Sequence, residues 1–135
     1  MASIRQEVLI NASPAAVWDA LRDIGALHTR LAPGFVRDVR LEPGARVVTF
    51  ANGVVARELI VDIDEQARRL VWTVVGGRMT HHNASAQVLA EPHGGSRFVW
   101  IADLLPDEVA PAIAQMMEQG IAAIKRTLDG SANNR

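Results

Sequence analysis

The sequence predicts an α+β domain: a seven-stranded antiparallel sheet wrapped around one long C-terminal helix, with two short helices after the first strand. Three observations carry this prediction. Between residues 35 and 104, six short segments repeat apolar residues with a period of two. They are separated by "EPG", "NG", "DEQA", "GG" and "EPHGG", all of which are turn chemistry. The stretch 107–128 instead places Ile113, Met116, Met117, Gly120, Ile121, Ile124 and Leu128 at helical spacing. Hairpin-linked strands also leave an apolar sheet face to be covered, and this helix is the only long amphipathic segment available. A curved sheet closed over one helix leaves a hollow between them.

In chain order, residues 4–10 read as the first strand, with Val8 and Ile10 on one face. In "NASPAAVWDALRDIG", Ser13 is a good N-cap and Pro14 suits the first helical position. Val17, Trp18, Leu21 and Ile24 form the apolar stripe of that helix, Gly25 ends it, and "ALHTRLAPG" has room for one further short turn. Strands are expected at 35–41, 46–51, 55–63, 69–75, 80–90 and 97–104, followed by the helix 107–128 with an irregular start at Pro111. Residues 1–129 make one domain and 130–135 a polar tail.

Composition narrows the function. The chain has 135 residues, 49% hydrophobic and 21% charged, which is a globular balance. A net charge of −1 from 14 basic and 15 acidic residues gives no footprint for nucleic acid and no polybasic patch for a membrane. With no cysteine there are no disulfides, no thiolate metal ligands and no cysteine nucleophile. No HxH or HxxxH spacing occurs, so no metal site is expected, and no nucleotide motif points to a cofactor. The N-terminus lacks a signal pattern and no apolar run reaches membrane-span length, so a cytoplasmic protein is expected. Three Trp, three Phe and no Tyr leave a mostly aliphatic interior.

The stretches "VLINASPAAVWDALRDI" (8–24), "ARELIVDIDEQARRLVWTVVGG" (56–77) and "GGSRFVWIADLLPDEVAPAIAQMMEQGIAAIKRTL" (94–128) resemble the SRPBCC superfamily, which includes START domains and polyketide cyclases. The resemblance covers nearly the whole chain. It implies a helix-grip fold, a cavity for a small hydrophobic molecule, and activities that range from cyclases and dehydratases to lipid carriers, hormone receptors and chaperone activators.

Candidate site residues follow from strand parity. Asn83, Ser85 and Gln87 alternate with Ala84, Ala86 and Val88, so the small residues face the helix, and His82 shares their parity while His81 does not. With 92–95 as a four-residue loop, Ala84 stands opposite Asp103, Val99 and Ile101 face inward, and His82 lies diagonal to Asp103. A histidine oriented by a carboxylate is a reasonable general base. A five-residue loop shifts the register by one and turns Trp100 inward instead. Glu58 is the third catalytic candidate. Alternation groups it with Ile60 and Asp62, which favours solvent, whereas the resemblance implies a pocket carboxylate in this strand. Arg37 shares a face with Phe35, Val39 and Leu41 and is a candidate anchor for an acidic group. Trp72, Val74, Ala84, Ala86, Val99, Ile101, Met116, Met117, Gly120 and Ile124 are expected to line the hollow, with Gly120 opening space beneath the sheet.

The expected function is binding of a small hydrophobic molecule between sheet and C-terminal helix. Cofactor-independent cyclisation or dehydration of that molecule, by His82, Asp103 and Glu58, is the catalytic extension. The alternatives are a non-catalytic carrier or sensor, marked by polar groups paired off within the protein, and a chaperone-activator-like partner module. A homodimer is compatible with a small sheet protein of this kind.

Overall fold

The computed structural model describes residues 2–132. Strand β1 (Ala2–Ile10) leads into helix α1 (Pro14–Arg22), a 3-10 turn at Ile24–Ala26 and a wider turn at Leu27–Leu31. Six strands follow: β2 (Val36–Glu42), β3 (Ala45–Phe50), β4 (Val55–Asp64), β5 (Arg69–Val75), β6 (His81–Ala90) and β7 (Ser96–Leu105). A 3-10 turn at Asp107–Val109 then opens helix α2 (Ala110–Ala132). The strands form one antiparallel sheet in the order β1-β7-β6-β5-β4-β3-β2, so β1 and β2 are its edges. Fold class and element order are as the sequence predicts.

Helix α1 starts where its cap dictates: the Ser13 hydroxyl accepts from the Ala16 N–H at 3.2 Å, and Pro14 occupies the first turn, where its missing N–H is no loss. Its buried residues Val17, Trp18, Ala20 and Leu21 close one end of the sheet. The Trp18 Nε1–H donates to Glu65 Oε1 at 2.6 Å, and Arg22 grips the same carboxylate, which ties α1 to the β4–β5 turn. Nearby, Ser96 Oγ donates to the Ala12 carbonyl at 2.7 Å, Asp129 Oδ1 accepts from the Asn11 N–H at 2.7 Å, and Lys125 Nζ donates to the Leu9 carbonyl at 2.7 Å. The C-terminal half of α2 is thereby pinned beside the end of β1.

Across the sheet, Met117, Ile121, Ala123, Ile124 and Leu128 of α2 are buried against Ile10, Leu70, Val88 and Phe98. Each such side chain contributes about 1.5–3 kcal/mol by leaving water, so packing rather than helix propensity holds α2 in place. The helix begins three residues later than expected, with Pro111 in its first turn, and its backbone continues through the first part of the anticipated tail to Ala132. Residues 133–135, the rest of that tail, lie outside the described residues.

Three local departures move side chains from their expected faces. The β6–β7 loop has five residues, because Ala90 pairs with Ser96 and Ala84 with Ala102. Gly94 and Gly95 both take positive φ, at 97° and 79°, and a Cβ on Gly95 would stand 2.8 Å from the Ile10 carbonyl oxygen. The residue added to the expected 92–95 loop is Glu91, whose N–H donates to the Gly95 carbonyl at 3.2 Å and whose carbonyl accepts from the Gly94 N–H at 3.1 Å. In β2 the register steps between Val36 and Asp38, leaving Arg37 as the extra residue of a bulge. In β4 it steps between Ile60 and Asp62. Before that bulge Glu58 and Ile60 face α2, and after it Asp62 turns to the outer face opposite Val71.

Candidate functional site

The inner face of the sheet carries two indoles and the alanines that make room for them. Trp72 stands beside Ala84, which pairs with Ala102, while Ala86 stands beside Trp100. The rings lie 6.4 Å apart at 47°. With Phe35 and Phe50 they fill the middle of the hollow and divide it into two lobes. The inner lobe, about 50 Å³, lies among Leu21, Leu27, Leu31, Ala86, Phe98, Gly120 and Ile124. The outer lobe, about 110 Å³, lies among Ala56, Val74, Met79, His82, Ala102, Ile113, Met116 and Met117. The outer lobe opens past Val54, Met79, Ile113 and Met116 into a groove between the β3–β4 turn, the β5–β6 turn and the N-terminal half of α2. This is the end of the molecule opposite the pinned helix terminus.

Three polar side chains interrupt the apolar wall. Arg46 and Glu58 face each other across β3 and β4, with Arg46 Nε 2.8 Å from Glu58 Oε1 and both side chains under a tenth exposed. Arg46 also donates to the Ile24 carbonyl at 3.1 Å, and its guanidinium sits 5.8 Å from the centre of the Trp72 ring. Charges this deep persist because they are paired and hydrogen-bonded. Glu58 lines both lobes, and its second oxygen accepts no hydrogen bond among the described residues.

His82 is the third. It is 7% exposed and lines the outer lobe, and its Nδ1 accepts from the Val74 N–H at 3.1 Å. An N–H can only donate, so Nδ1 holds the lone pair and the neutral ring carries its proton on Nε2. Burial first, and the neighbouring His81 second, push its pKa below the ordinary 6.5, against smaller opposing contributions from a backbone hydrogen bond and from Asp103. At neutral pH His82 is a buried neutral donor.

The geometry corrects several expected placements. Asp103 pairs with Asn83 and Ser3 on the outer face, so the five-residue loop removes it from His82 and no dyad forms. Val99, opposite Gln87 and Glu7, and Ile101, opposite Ser85 and Arg5, lie on the outer face for the same reason. Arg37 is exposed at its bulge and does not reach the hollow. Ala84 faces inward and is buried, but it backs the indoles instead of lining a lobe. His28 is half-buried, and its Nδ1 has no hydrogen-bond partner among the described residues. Trp72, Val74, Met116 and Met117 line the outer lobe, and Ala86, Gly120 and Ile124 the inner one. The space at Gly120 is occupied, because a Cβ there would stand 2.9 Å from both Phe35 Cε2 and Trp100 Cζ3.

Arg46, Phe35, Phe50 and Met79 line the hollow without having been expected to, and Trp100 does so as the five-residue loop implies. Arg46 was detectable, since in "ARVVTF" it shares parity with Val48 and Phe50, which puts a charge on an apolar face. Among the described residues no group of three or more His, Asp or Glu is arranged to hold a metal ion, and no helix is long and apolar enough to cross a membrane.

A sheet closed over one helix around an apolar hollow defines a helix-grip domain of the SRPBCC superfamily. Within it, the chain belongs to the polyketide cyclase / dehydrase and lipid transport family, which it matches over residues 1–129. Solved structures agree on the fold. An uncharacterized protein of Bacillus thuringiensis superposes with a TM-score of 0.83 at 16% identity, covering 94% of this chain and 98% of its own. The protein XoxI of Bacillus cereus superposes at 0.82 with 18% identity, covering 95% and 96%. A protein of Thermobifida fusca is 26% identical with a TM-score of 0.77, covering 99% and 95%. No curated protein matches the chain in sequence.

Proposed function

We propose that the protein binds a small, largely apolar molecule in the two-lobed hollow and that binding, not catalysis, is its principal activity. The observation that carries this reading is how the polar groups are spent. Arg46 and Glu58 hold each other, and the His82 lone pair is taken by the Val74 N–H. A general base needs a free lone pair aimed at its substrate, and His82 offers an N–H instead. The ligand that fits is neutral at the His82 end and presents an acceptor oxygen there, with rings or branched hydrocarbon against Trp72, Trp100 and the methionines. Membership of the polyketide cyclase / dehydrase and lipid transport family supports the binding role in its broad form.

One observation favours a catalytic version: Glu58 borders both lobes and its second oxygen accepts no hydrogen bond among the described residues, so this carboxylate can exchange a proton with a bound enol or alcohol. Two experiments test the site and separate the readings. N-phenyl-1-naphthylamine, a neutral fluorescent arene, is titrated into wild type and Ala102→Leu, whose larger side chain fills the outer lobe. Binding at least ten-fold weaker in a folded Ala102→Leu variant is expected, and equal affinity would place the site elsewhere. A small molecule retained through purification and identified by native mass spectrometry is expected to stay chemically unchanged on prolonged incubation. Its conversion would favour catalysis at Glu58.

A further inference from the structure

Phe35 and Phe50 stand apart from the other wall residues, because they alone line both inner lobes and also a separate cleft of about 390 Å³ on the protein's flank. That cleft lies between Gly34, Asn52 and the α2 residues Gln119, Ala123 and Arg126, and it adjoins the groove at the N-terminal half of α2 at Asn52 and Gln119. The two rings meet edge to face, centroids 5.3 Å apart at 64°, and are the partition between cleft and hollow. Lobes of about 110 and 50 Å³ are small. An apolar cavity of about 150 Å³ accepts benzene, whereas ligand pockets usually run to roughly 300–1,000 Å³. With the partition in place neither lobe alone takes much more than one ring, so a larger arene has to displace the Phe35 and Phe50 rings.

At Phe35 the backbone is anchored by hydrogen bonds while the ring is held by packing alone. The Phe35 main chain is held at both groups, N–H to the Ala32 carbonyl at 3.2 Å and carbonyl to the Ala51 N–H at 2.9 Å. Its ring is held only by contact, resting in the space that Gly120 leaves open. On the cleft side the chemistry turns polar. Arg126 is exposed and makes no ion pair or side-chain hydrogen bond among the described residues, unlike its neighbour Lys125, which is bound to Asp129 and the Leu9 carbonyl.

We propose that this flank cleft is a head-group site: Arg126 takes the acidic end of an amphipathic ligand whose ring-sized apolar end passes the Phe35–Phe50 partition into the hollow. The inference rests on the binding reading above and adds the ligand class, an arene or alicycle carrying one anionic group, and its route of entry.

Two probes with nearly the same aromatic body test it. 1-Anilinonaphthalene-8-sulfonate carries an anionic group, and N-phenyl-1-naphthylamine does not. At low ionic strength Arg126→Gln is expected to weaken the sulfonate by roughly three- to five-fold, as loss of an exposed ion pair does, and to leave the neutral probe unchanged. Arg78→Gln, on the rim of the other groove, is expected to change neither. Phe35→Ala is expected to speed association of both probes several-fold, since no ring then has to swing aside. Sulfonate affinity insensitive to Arg126, an equal loss for the neutral probe, or a loss of the same size from Arg78→Gln overturns the head-group site. Unchanged association rates in Phe35→Ala overturn the route. Failure of the neutral probe to bind wild type at all sinks the hollow itself, and the cleft with it. Arg126 and Arg78 are exposed, so these variants are expected to fold normally.

Discussion

One hydrogen bond fixes the tautomer of the neutral His82 ring. Because the Val74 N–H fixes the lone pair on Nδ1, protonation would place two donors face to face. The folded-state pKa lies below 6.5, so the unfolded chain takes up this proton first as pH falls. The corresponding stability is fully present above about pH 6.5 and is lost as pH drops from there towards the lower folded-state value. His82→Gln keeps an acceptor for Val74 and cannot titrate. Its urea midpoint should therefore fall less than that of wild type between pH 7.5 and 5.5, and identical pH dependence would contradict the assignment. The buried pair makes a second prediction. Arg46→Met strands the Glu58 carboxylate and should cost about 3–5 kcal/mol in urea unfolding, while Arg46→Met with Glu58→Leu should recover most of the loss. If the single variant costs no more than the double, the pair is not what holds Glu58 in place.

At the scale of the element, helix α2 is predicted to respond to Gly120→Ala in two opposed ways. Alanine gains about 1 kcal/mol in helix propensity. Its Cβ would also stand 2.9 Å from two aromatic rings, and such overpacking costs about 1–3 kcal/mol. A net loss of up to about 2 kcal/mol with shifted tryptophan emission is expected, because Trp100 has to move. A stabilised variant with unchanged emission would contradict this packing.

The same elements show what the sequence could and could not tell. Periods of 2 and 3.6, the Ser13-Pro14 start and the turn glycines were sufficient for every strand, both helices and the inward parity of His82. Residues whose placement hinges on one extra residue were misjudged. The β6–β7 loop takes in Glu91, whose N–H and carbonyl bond to Gly95 and Gly94, a closure that strand alternation does not reveal. Bulges defeat alternation at Arg37 and Glu58, since grouping Glu58 with the exposed Asp62 assumes an unbroken ladder. The Arg46–Glu58 pair needed cross-strand register, which β3 and β4 acquire only once paired.

For the molecule as a whole, one end is fixed and the other is open. Asn11, Leu9, Ala12 and Glu65 anchor the C-terminal half of α2, the β6–β7 hairpin and α1, whereas the N-terminal half of α2 faces the groove that leads to the outer lobe. A ligand that passes the Phe35–Phe50 partition leaves Ile10, Leu70 and Val88 of the core in place. The most direct measurement of this account is an isotope-filtered NMR experiment on the complex with N-phenyl-1-naphthylamine. The methyl groups of Ala102, Met116 and Met117 should show intermolecular contacts to the probe, and those of Val71, Val99 and Ile101 on the outer face should show none. Contacts to the outer-face methyls with none to Ala102 or the methionines would contradict the claim that the hollow is the binding site.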